Sequence, residues 1–173
     1  MNRARRVPLI ALLVAWVAMV AQILATAPLL PARVATHFDL AGKPNGWMTR
    51  STHVSATIAF GFLVPGFILG IAALIRYLNG AGCNIPHRDY WLAPERRTAT
   101  MDFIFNHCVW LGCLLVVFHM GLHQVILWAN QAQPVALSSV QMNLLSGAML
   151  SGVILWVILL IVRFLRPHVP RNA

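Results

Sequence analysis

Four long runs of apolar residues dominate the chain, and three shorter polar segments separate them. Each run reaches the length of about 20 residues that a helix needs to cross the hydrocarbon core of a bilayer. None shows the polar face of an amphipathic surface helix. The pattern therefore predicts four transmembrane helices, at about residues 8–30, 54–78, 103–129 and 140–164.

These helices predict an all-α membrane protein with a single membrane domain over residues 1–173. We expect residues 31–53 to form a short ordered loop at one side of the membrane and residues 79–102 a loop at the other side. Ala25-Thr26-Ala27 could be a signal-peptidase site, but the apolar run that contains it, about 23 residues, exceeds the usual h-region of about 7–15. We therefore expect an uncleaved first helix.

Composition supports the membrane assignment and excludes other classes. Of 173 residues, 59% are apolar and 10% are charged, whereas a soluble domain carries roughly 25% charged residues. This excludes a soluble globular enzyme and a disordered chain. Three cysteines, an odd number, indicate reduced thiols rather than a disulfide framework.

The net charge of +9 predicts the orientation of the helices rather than a nucleic-acid partner. Nucleic-acid binding needs a basic face on a soluble module, whereas these cations lie between the apolar runs. Ten of the 13 Lys and Arg residues fall on the side of the two termini and of residues 79–102; Arg33, Lys43 and Arg50 fall on the other. Because positive charge favours the inner side, we expect both termini in the cytoplasm and residues 31–53 outside.

The outer segment is rich in residues that form turns and hydrogen bonds. His37-Phe38-Asp39 is typical of a short extended piece. Pro44-Asn45-Gly46 predicts a tight turn, because proline fixes its own φ while asparagine and glycine tolerate positive φ. Trp47 is an aromatic residue of the kind enriched at membrane interfaces. We expect this loop to be folded onto the helix ends.

This segment resembles the DUF1648 family, a domain of unknown function that also occurs at the start of SdpI-type bacterial immunity membrane proteins. A second segment, Tyr90 to Arg97, looks like a motif of longer family members. The resemblance implies a multi-pass protein of the bacterial cytoplasmic (inner) membrane. The first segment is matched by a proline after the first helix, the His37-Phe38 pair, Gly42, Pro44, Gly46, Trp47 and Arg50.

Histidines at membrane depth are candidates for a functional site. His119 and His123 share one face of the third helix, because they are four residues apart. Both point toward the side of His37, Asp39 and His53. Three readings stay open: a hydrogen-bonded structural cluster, a proton- or ligand-linked site, and a Zn²⁺ or copper site with His37, His119 and His123 as candidate ligands.

The inner loop offers a second candidate surface. Pro94 can occupy the first turn of a helix that runs into the third membrane helix. Tyr90, Trp91, Arg96 and Arg97 lie around that start. They are either an interfacial anchor with snorkelling arginines or a docking surface for anionic lipid or a cytoplasmic partner.

Small residues predict close helix contacts. Gly66 and Gly70 form a G-x-x-x-G pair in the second helix, beside Pro65, which we expect to kink it. The contact partner is either another helix of this chain or a second copy, so a four-helix bundle and a homodimer both stay open.

The sequence favours a non-enzymatic role, because the motifs for acyl transfer, phosphate binding and zinc hydrolysis are absent from it. We expect an accessory, sensor or immunity-like membrane protein without a cofactor, whose outer loop meets a partner or ligand. The alternatives are a metal-binding membrane protein and a small subunit of a larger membrane complex or transporter. The candidate binding residues are His37, Phe38, Asp39, Pro44, Gly46 and Trp47, with His119 and His123.

Overall fold

The structure is a computed structural model that describes residues 3–165, with side chains from residue 6 onward. Four of its helices are long and apolar enough to cross a membrane, which confirms the predicted fold class. They are α1 (Arg3–Thr26), α2 (Arg50–Tyr77), α4 (Pro94–Gln131) and α5 (Ser139–Leu165), and a one-turn helix, α3 (Arg88–Trp91), precedes α4.

Two helix boundaries differ from the predicted ones for a local reason. Helix α1 ends at Thr26 and passes into a 3₁₀ turn over Ala27–Leu29, because Pro28 cannot donate the next backbone hydrogen bond. Helix α4 extends before the predicted membrane span of residues 103–129 and begins at Pro94, the proline expected in its first turn. Its 38 residues make it about 57 Å long.

The outer segment forms an antiparallel β-hairpin, which an all-α prediction did not include. Strand β1 (Arg33–Phe38) pairs with β2 (Pro44–Thr49), and Val34 lies opposite Met48. The extended piece predicted around His37 is thus largely part of β1, although Asp39 lies beyond its end.

The turn of this hairpin lies earlier than predicted, so placing it at Pro44-Asn45-Gly46 was wrong. Those three residues belong to β2. The Asp39 carboxylate instead accepts hydrogen bonds from the backbone N–H groups of Ala41 and Lys43, at 2.9 and 2.8 Å. Gly42 supplies the positive φ, +77°, that the turn needs.

Helix α4 is the centre of the bundle. It packs against α1, α2 and α5, and α1 also packs against α2. The main buried cluster joins α1 to α4 through Leu12, Met19 and Ile23 on one side and Val109 and Val116 on the other. Along α5, in contrast, Phe164 alone is buried, so most of this helix faces outward.

The two ends of the bundle carry different chemistry. The hairpin end comprises the hairpin and the loop over residues 132–138, and the arginine end comprises residues 78–93 with the helix termini beside them. Helix α1 begins and α5 ends at the arginine end. The orientation prediction also counts Arg3, Arg5, Arg166 and Arg171, whose side chains lie outside the described residues.

The predicted G-x-x-x-G pair is not used in packing within the chain. A Cβ atom added at Gly66 or Gly70 would have open space around it. Gly61 is the glycine of α2 that faces a neighbouring helix, since a Cβ atom there would collide with the side chain of Met19. The face that carries Gly66 and Gly70 is therefore exposed on the outside of the bundle.

Candidate functional site

A buried asparagine at the end of α4 holds the hairpin. The Oδ1 atom of Asn130 accepts a hydrogen bond from the Ala35 N–H at 2.8 Å. Its Nδ2 group donates to the Ala35 carbonyl at 2.9 Å and to the Ile126 carbonyl at 2.9 Å. Because Ala35 is 0% exposed and Asn130 is 9% exposed, these bonds are shielded from water and anchor β1 to the bundle.

Further contacts fix the hairpin at both edges. Leu30, Val34 and Leu127 form a small buried cluster beneath β1. At the turn, the Leu137 N–H donates to the Gly42 carbonyl at 2.9 Å, which ties the hairpin to the loop before α5. The hairpin is thus attached to the helices at several separate points.

The outward face of the hairpin carries apolar and aromatic side chains. Leu40 at the tip is fully exposed, and Trp47 on β2 is 41% exposed. The Arg33 guanidinium carbon lies 5.7 Å from the centre of the Trp47 ring, within the range of a cation–π contact. His37 is also exposed.

The other candidate residues of this segment contribute to the structure of the hairpin. Phe38, Pro44 and Gly46 are half-buried. Gly46 lies opposite His37, and a Cβ atom there would come within 2.9 Å of the His37 Cβ atom. The Asp39 carboxylate is engaged in the turn. Of the six predicted residues, His37 and Trp47 therefore offer the most accessible side chains for binding.

Below the hairpin, three histidines from two helices come together. The rings of His53 (α2) and His123 (α4) stack with their centres 5.6 Å apart. His119, one turn deeper on α4, has its Nε2 atom 2.7 Å from the Thr57 carbonyl. Since a carbonyl only accepts, this Nε2 carries the hydrogen. His53 is the histidine that the structure places against His123, whereas His37 lies on the exposed hairpin.

The hydrogen bonds of Thr26 define the tautomer of His123. The Thr26 hydroxyl donates to the Gln22 carbonyl at 2.7 Å, so it can only accept from the His123 Nε2, 2.8 Å away. The Nδ1 atom of His123 is then an acceptor. Among the described residues, the buried Nδ1 of His123 and Nε2 of His53 have no hydrogen-bond partner.

Helix α1 closes this polar cluster from the third side. The Gln22 Nε2 group donates to the Oε1 atom of Gln124 at 3.2 Å and to the Met120 carbonyl at 3.4 Å. The histidine cluster therefore lies at the junction of α1, α2 and α4, at the roots of the hairpin. Thr26 ends α1 and His53 lies in the first turn of α2.

The predicted metal site is not supported by this geometry. Within residues 3–165, no group of three or more His, Cys, Asp and Glu side chains is placed to hold a metal ion. The Nε2 atoms of His119 and His123 face Thr57 and Thr26, and His37 lies apart in the hairpin. A hydrogen-bonded polar cluster describes the observed contacts.

The third histidine of α4 belongs to a different contact. The His107 ring lies 4.6 Å from the Trp156 ring, centre to centre. The two residues also exchange hydrogen bonds: Nε2 of His107 with the Trp156 carbonyl at 2.9 Å, and Nε1 of Trp156 with the His107 carbonyl at 2.8 Å. This pair joins α5 to α4.

At the arginine end, the predicted inner surface forms around α3. Trp91 is buried, and its Nε1 group donates to the Phe164 carbonyl at 3.1 Å. Arg96 lies over the Tyr90 ring, at 4.0 Å from its centre. Nearby, burial raises the pKa of the Cys83 thiol, and the charge of Arg88 acts in the opposite direction. The structure thus brings together Tyr90, Trp91, Arg96 and Arg97 around the start of α4.

Comparison with known families identifies the part of the chain that contains the hairpin. Residues 9–69 match the profile of a domain of unknown function, DUF1648. This part of the chain is thus similar to DUF1648. No curated protein and no solved structure matches the chain.

The segment matched to DUF1648 supplies only part of the candidate site. It includes Thr26, Ala35 and His53, while Asn130, His119 and His123 lie on α4, outside the matched residues. Asn130 and Thr26 were not predicted as site residues. A polar side chain close to the end of an apolar helix was the available signal, but their partners lie about 95 residues away in sequence and only the fold shows them.

Proposed function

We propose that this integral membrane protein is a non-enzymatic accessory, sensor or immunity-like protein whose hairpin binds another protein at the membrane surface. The observation that carries the proposal is the attachment of Ala35 to Asn130 through both backbone groups. A recognition surface gains affinity when it is held in its binding conformation beforehand. The anchored hairpin meets this requirement.

The composition of the exposed face supports recognition of a protein. Tryptophan and arginine are enriched among the residues that dominate protein interfaces. Trp47 and Arg33 lie together on the hairpin, and Leu40 extends from its tip. In this proposal His37 and Trp47 contact the partner, and His119 and His123 act from beneath by supporting the hairpin roots.

The proposed orientation places the hairpin outside a bacterial cytoplasmic membrane and the arginine end inside. The support is the distribution of cations. Of the nine Lys and Arg residues whose side chains the structure describes, six lie on the side of the arginine end, and positive residues are retained on the cytoplasmic side. A partner of the hairpin would then be an extracytoplasmic or membrane protein.

Site-specific photocrosslinking in cells tests the proposal. A photoreactive amino acid replaces His37, Asn45 or Trp47 in turn, and Asn84 at the arginine end serves as the matched exposed control. We expect one discrete protein adduct from the hairpin positions, absent from the control and weakened when Asn130→Ala loosens the hairpin. Adducts that are identical at Asn84, or unaffected by Asn130→Ala, would contradict the proposal, as would no adduct at all.

A further inference from the structure

Four arginines surround helix α3 at the arginine end, and we call them the arginine corner. They are Arg88 in α3, Arg96 and Arg97 in the first turn of α4, and Arg163 in the last turn of α5. The Arg163 guanidinium carbon lies 4.3 Å from the centre of the Trp91 ring. Three helices therefore contribute to one cationic surface.

The length of α5 places this corner at the depth of the lipid headgroups. Its 27 residues extend about 40 Å, and the hydrocarbon core of a bilayer is about 30 Å thick. Arg163, two residues before the end of α5, then lies just beyond the core. Because Trp91 contacts both Arg163 and the Phe164 carbonyl, α3 lies at the same depth.

Backbone carbonyls hold three of these guanidinium groups in position. The Nε atom of Arg88 donates to the Cys83 carbonyl at 3.2 Å. The Nε atoms of Arg96 and Arg97 donate to the carbonyls of Tyr90 and Leu92, at 2.7 and 3.1 Å. Each bond uses the Nε–H and leaves the two Nη groups, which form the fork that matches a phosphate.

The charge around the corner favours an anion. The acidic residues of this end are Asp89, Glu95 and Asp102. Asp102 lies 2.8 Å from a guanidinium nitrogen of Arg76, which is not part of the corner. Two carboxylates, Asp89 and Glu95, thus accompany four guanidinium groups, and the corner retains a net positive charge.

We propose that the arginine corner binds the phosphate headgroup of an anionic phospholipid. The guanidinium forks contact the phosphodiester, and one acyl chain runs along the neighbouring outward face of α5. Leu159, one turn before Arg163 on the same face of α5, is 54% exposed, so an apolar surface continues directly from the cationic one. A lipid is favoured over a soluble anion for three reasons. The guanidinium groups are held in place, the corner lies at the depth of the headgroups, and an apolar surface continues from it.

Native mass spectrometry of the full-length protein in detergent tests this site with defined lipids. Phosphatidylglycerol is the anionic probe, phosphatidylcholine the zwitterionic one, and inorganic phosphate the competing soluble anion. We expect phosphatidylglycerol to bind about 10-fold more tightly than phosphatidylcholine and to resist displacement by phosphate. Equal binding of both lipids, or displacement of phosphatidylglycerol by equimolar phosphate, would overturn the proposal without any variant.

Variants then locate the site. Arg96→Gln with Arg97→Gln is expected to lower phosphatidylglycerol affinity about 10-fold, while Arg33→Gln with Lys43→Gln, which removes the same charge from the hairpin end, stays within about twofold. Arg96→Lys with Arg97→Lys keeps the charge, loses the forks and is expected to lie in between. Equal losses in the glutamine pair and the hairpin-end pair would overturn the assignment to this corner, and full binding by the lysine variant would overturn the role of the forks.

Discussion

The side-chain amide of Asn130 makes both backbone hydrogen bonds of Ala35, as a neighbouring β-strand would do. The two bonds measure 2.8 and 2.9 Å, and both residues are buried. A single side chain on α4 thus completes the pairing of an inner residue of β1. This explains how a two-stranded hairpin, which is at best marginally stable alone, keeps a defined position.

Replacing Asn130 by alanine should therefore loosen the hairpin at Ala35. The change leaves the buried Ala35 N–H and carbonyl without partners, and each such group costs about 1–3 kcal/mol. We expect the free energy of unfolding in mixed micelles to fall by about 2–4 kcal/mol and hydrogen exchange at Ala35 to accelerate. Asn45→Ala, on the exposed part of β2, is the control. Unchanged exchange at Ala35 in Asn130→Ala would show that other contacts suffice.

Two glycines have nearly equal φ, so replacing each by alanine distinguishes the cost of backbone strain from the cost of a steric collision. Gly42 and Gly82 have φ of +77° and +75°. A Cβ atom at Gly82 meets open space, whereas one at Gly42 collides with the Leu137 carbonyl oxygen. Gly82→Ala should cost about 1 kcal/mol and Gly42→Ala about 3 kcal/mol or more, measured by unfolding in mixed micelles. Equal costs would indicate that the loop over residues 132–138 moves aside freely.

Thr26 and His123 should show the asymmetry of a buried hydrogen bond. Thr26→Val leaves the His123 Nε2–H buried without an acceptor and should lower the free energy of unfolding by about 1–3 kcal/mol, whereas Thr26→Ser keeps the bond. Combining Thr26→Val with His123→Phe should recover most of the loss, because both partners are then removed. A double variant that is less stable than Thr26→Val would disprove this account of the pair.

His53 should behave differently from its neighbours in the cluster. Its buried Nε2 atom has no partner, and its ring stacks on His123. His53→Phe keeps an aromatic ring and removes the unpaired atom, so we expect stability to be unchanged or to rise by up to about 1 kcal/mol. A marked loss of stability in micelle unfolding would mean that the imidazole nitrogen has a partner, such as a bound water.

Among the glycines of α2, we expect Gly61 not to tolerate alanine, whereas Gly66 and Gly70 should tolerate it. Gly61→Ala forces the fully buried Met19 side chain to move and should cost about 1–3 kcal/mol. Gly66→Ala and Gly70→Ala meet open space and should leave stability unchanged or raise it by up to about 1 kcal/mol. The same micelle titration measures all three. A large loss at Gly66 or Gly70 would place a second copy of the chain on that face.

The membrane helices were predictable because long apolar runs have few alternatives in a bilayer. The start of α4 at Pro94 was also predictable, because proline is favourable in the first turn of a helix. The hairpin turn was mispredicted because Pro44-Asn45-Gly46 is a strong local turn signal. Two sets of hydrogen bonds override this local preference. The Asp39 carboxylate closes a turn that begins five residues earlier, and the Gly42 carbonyl accepts a hydrogen bond from the Leu137 N–H.

The histidine cluster was only half predictable. The spacing of His119 and His123 indicated a shared face, and their position near the hairpin end followed from the topology. The pairing of His123 with His53 and Thr26, rather than with His37, depends on how α1 and α2 pack against α4. That packing is set by contacts between residues distant in sequence, which no local pattern contains.

Helix α4 is a single uninterrupted rod that carries Asn130 near one end and Arg97 near the other. The hairpin and the arginine corner are therefore fastened to the same stiff element on opposite faces of the bilayer. A shift of this rod along its axis would displace both attachments together, by the same distance and in the same direction. Communication across the membrane would then need no chain of side-chain rearrangements, only the sliding of one helix against its three neighbours α1, α2 and α5.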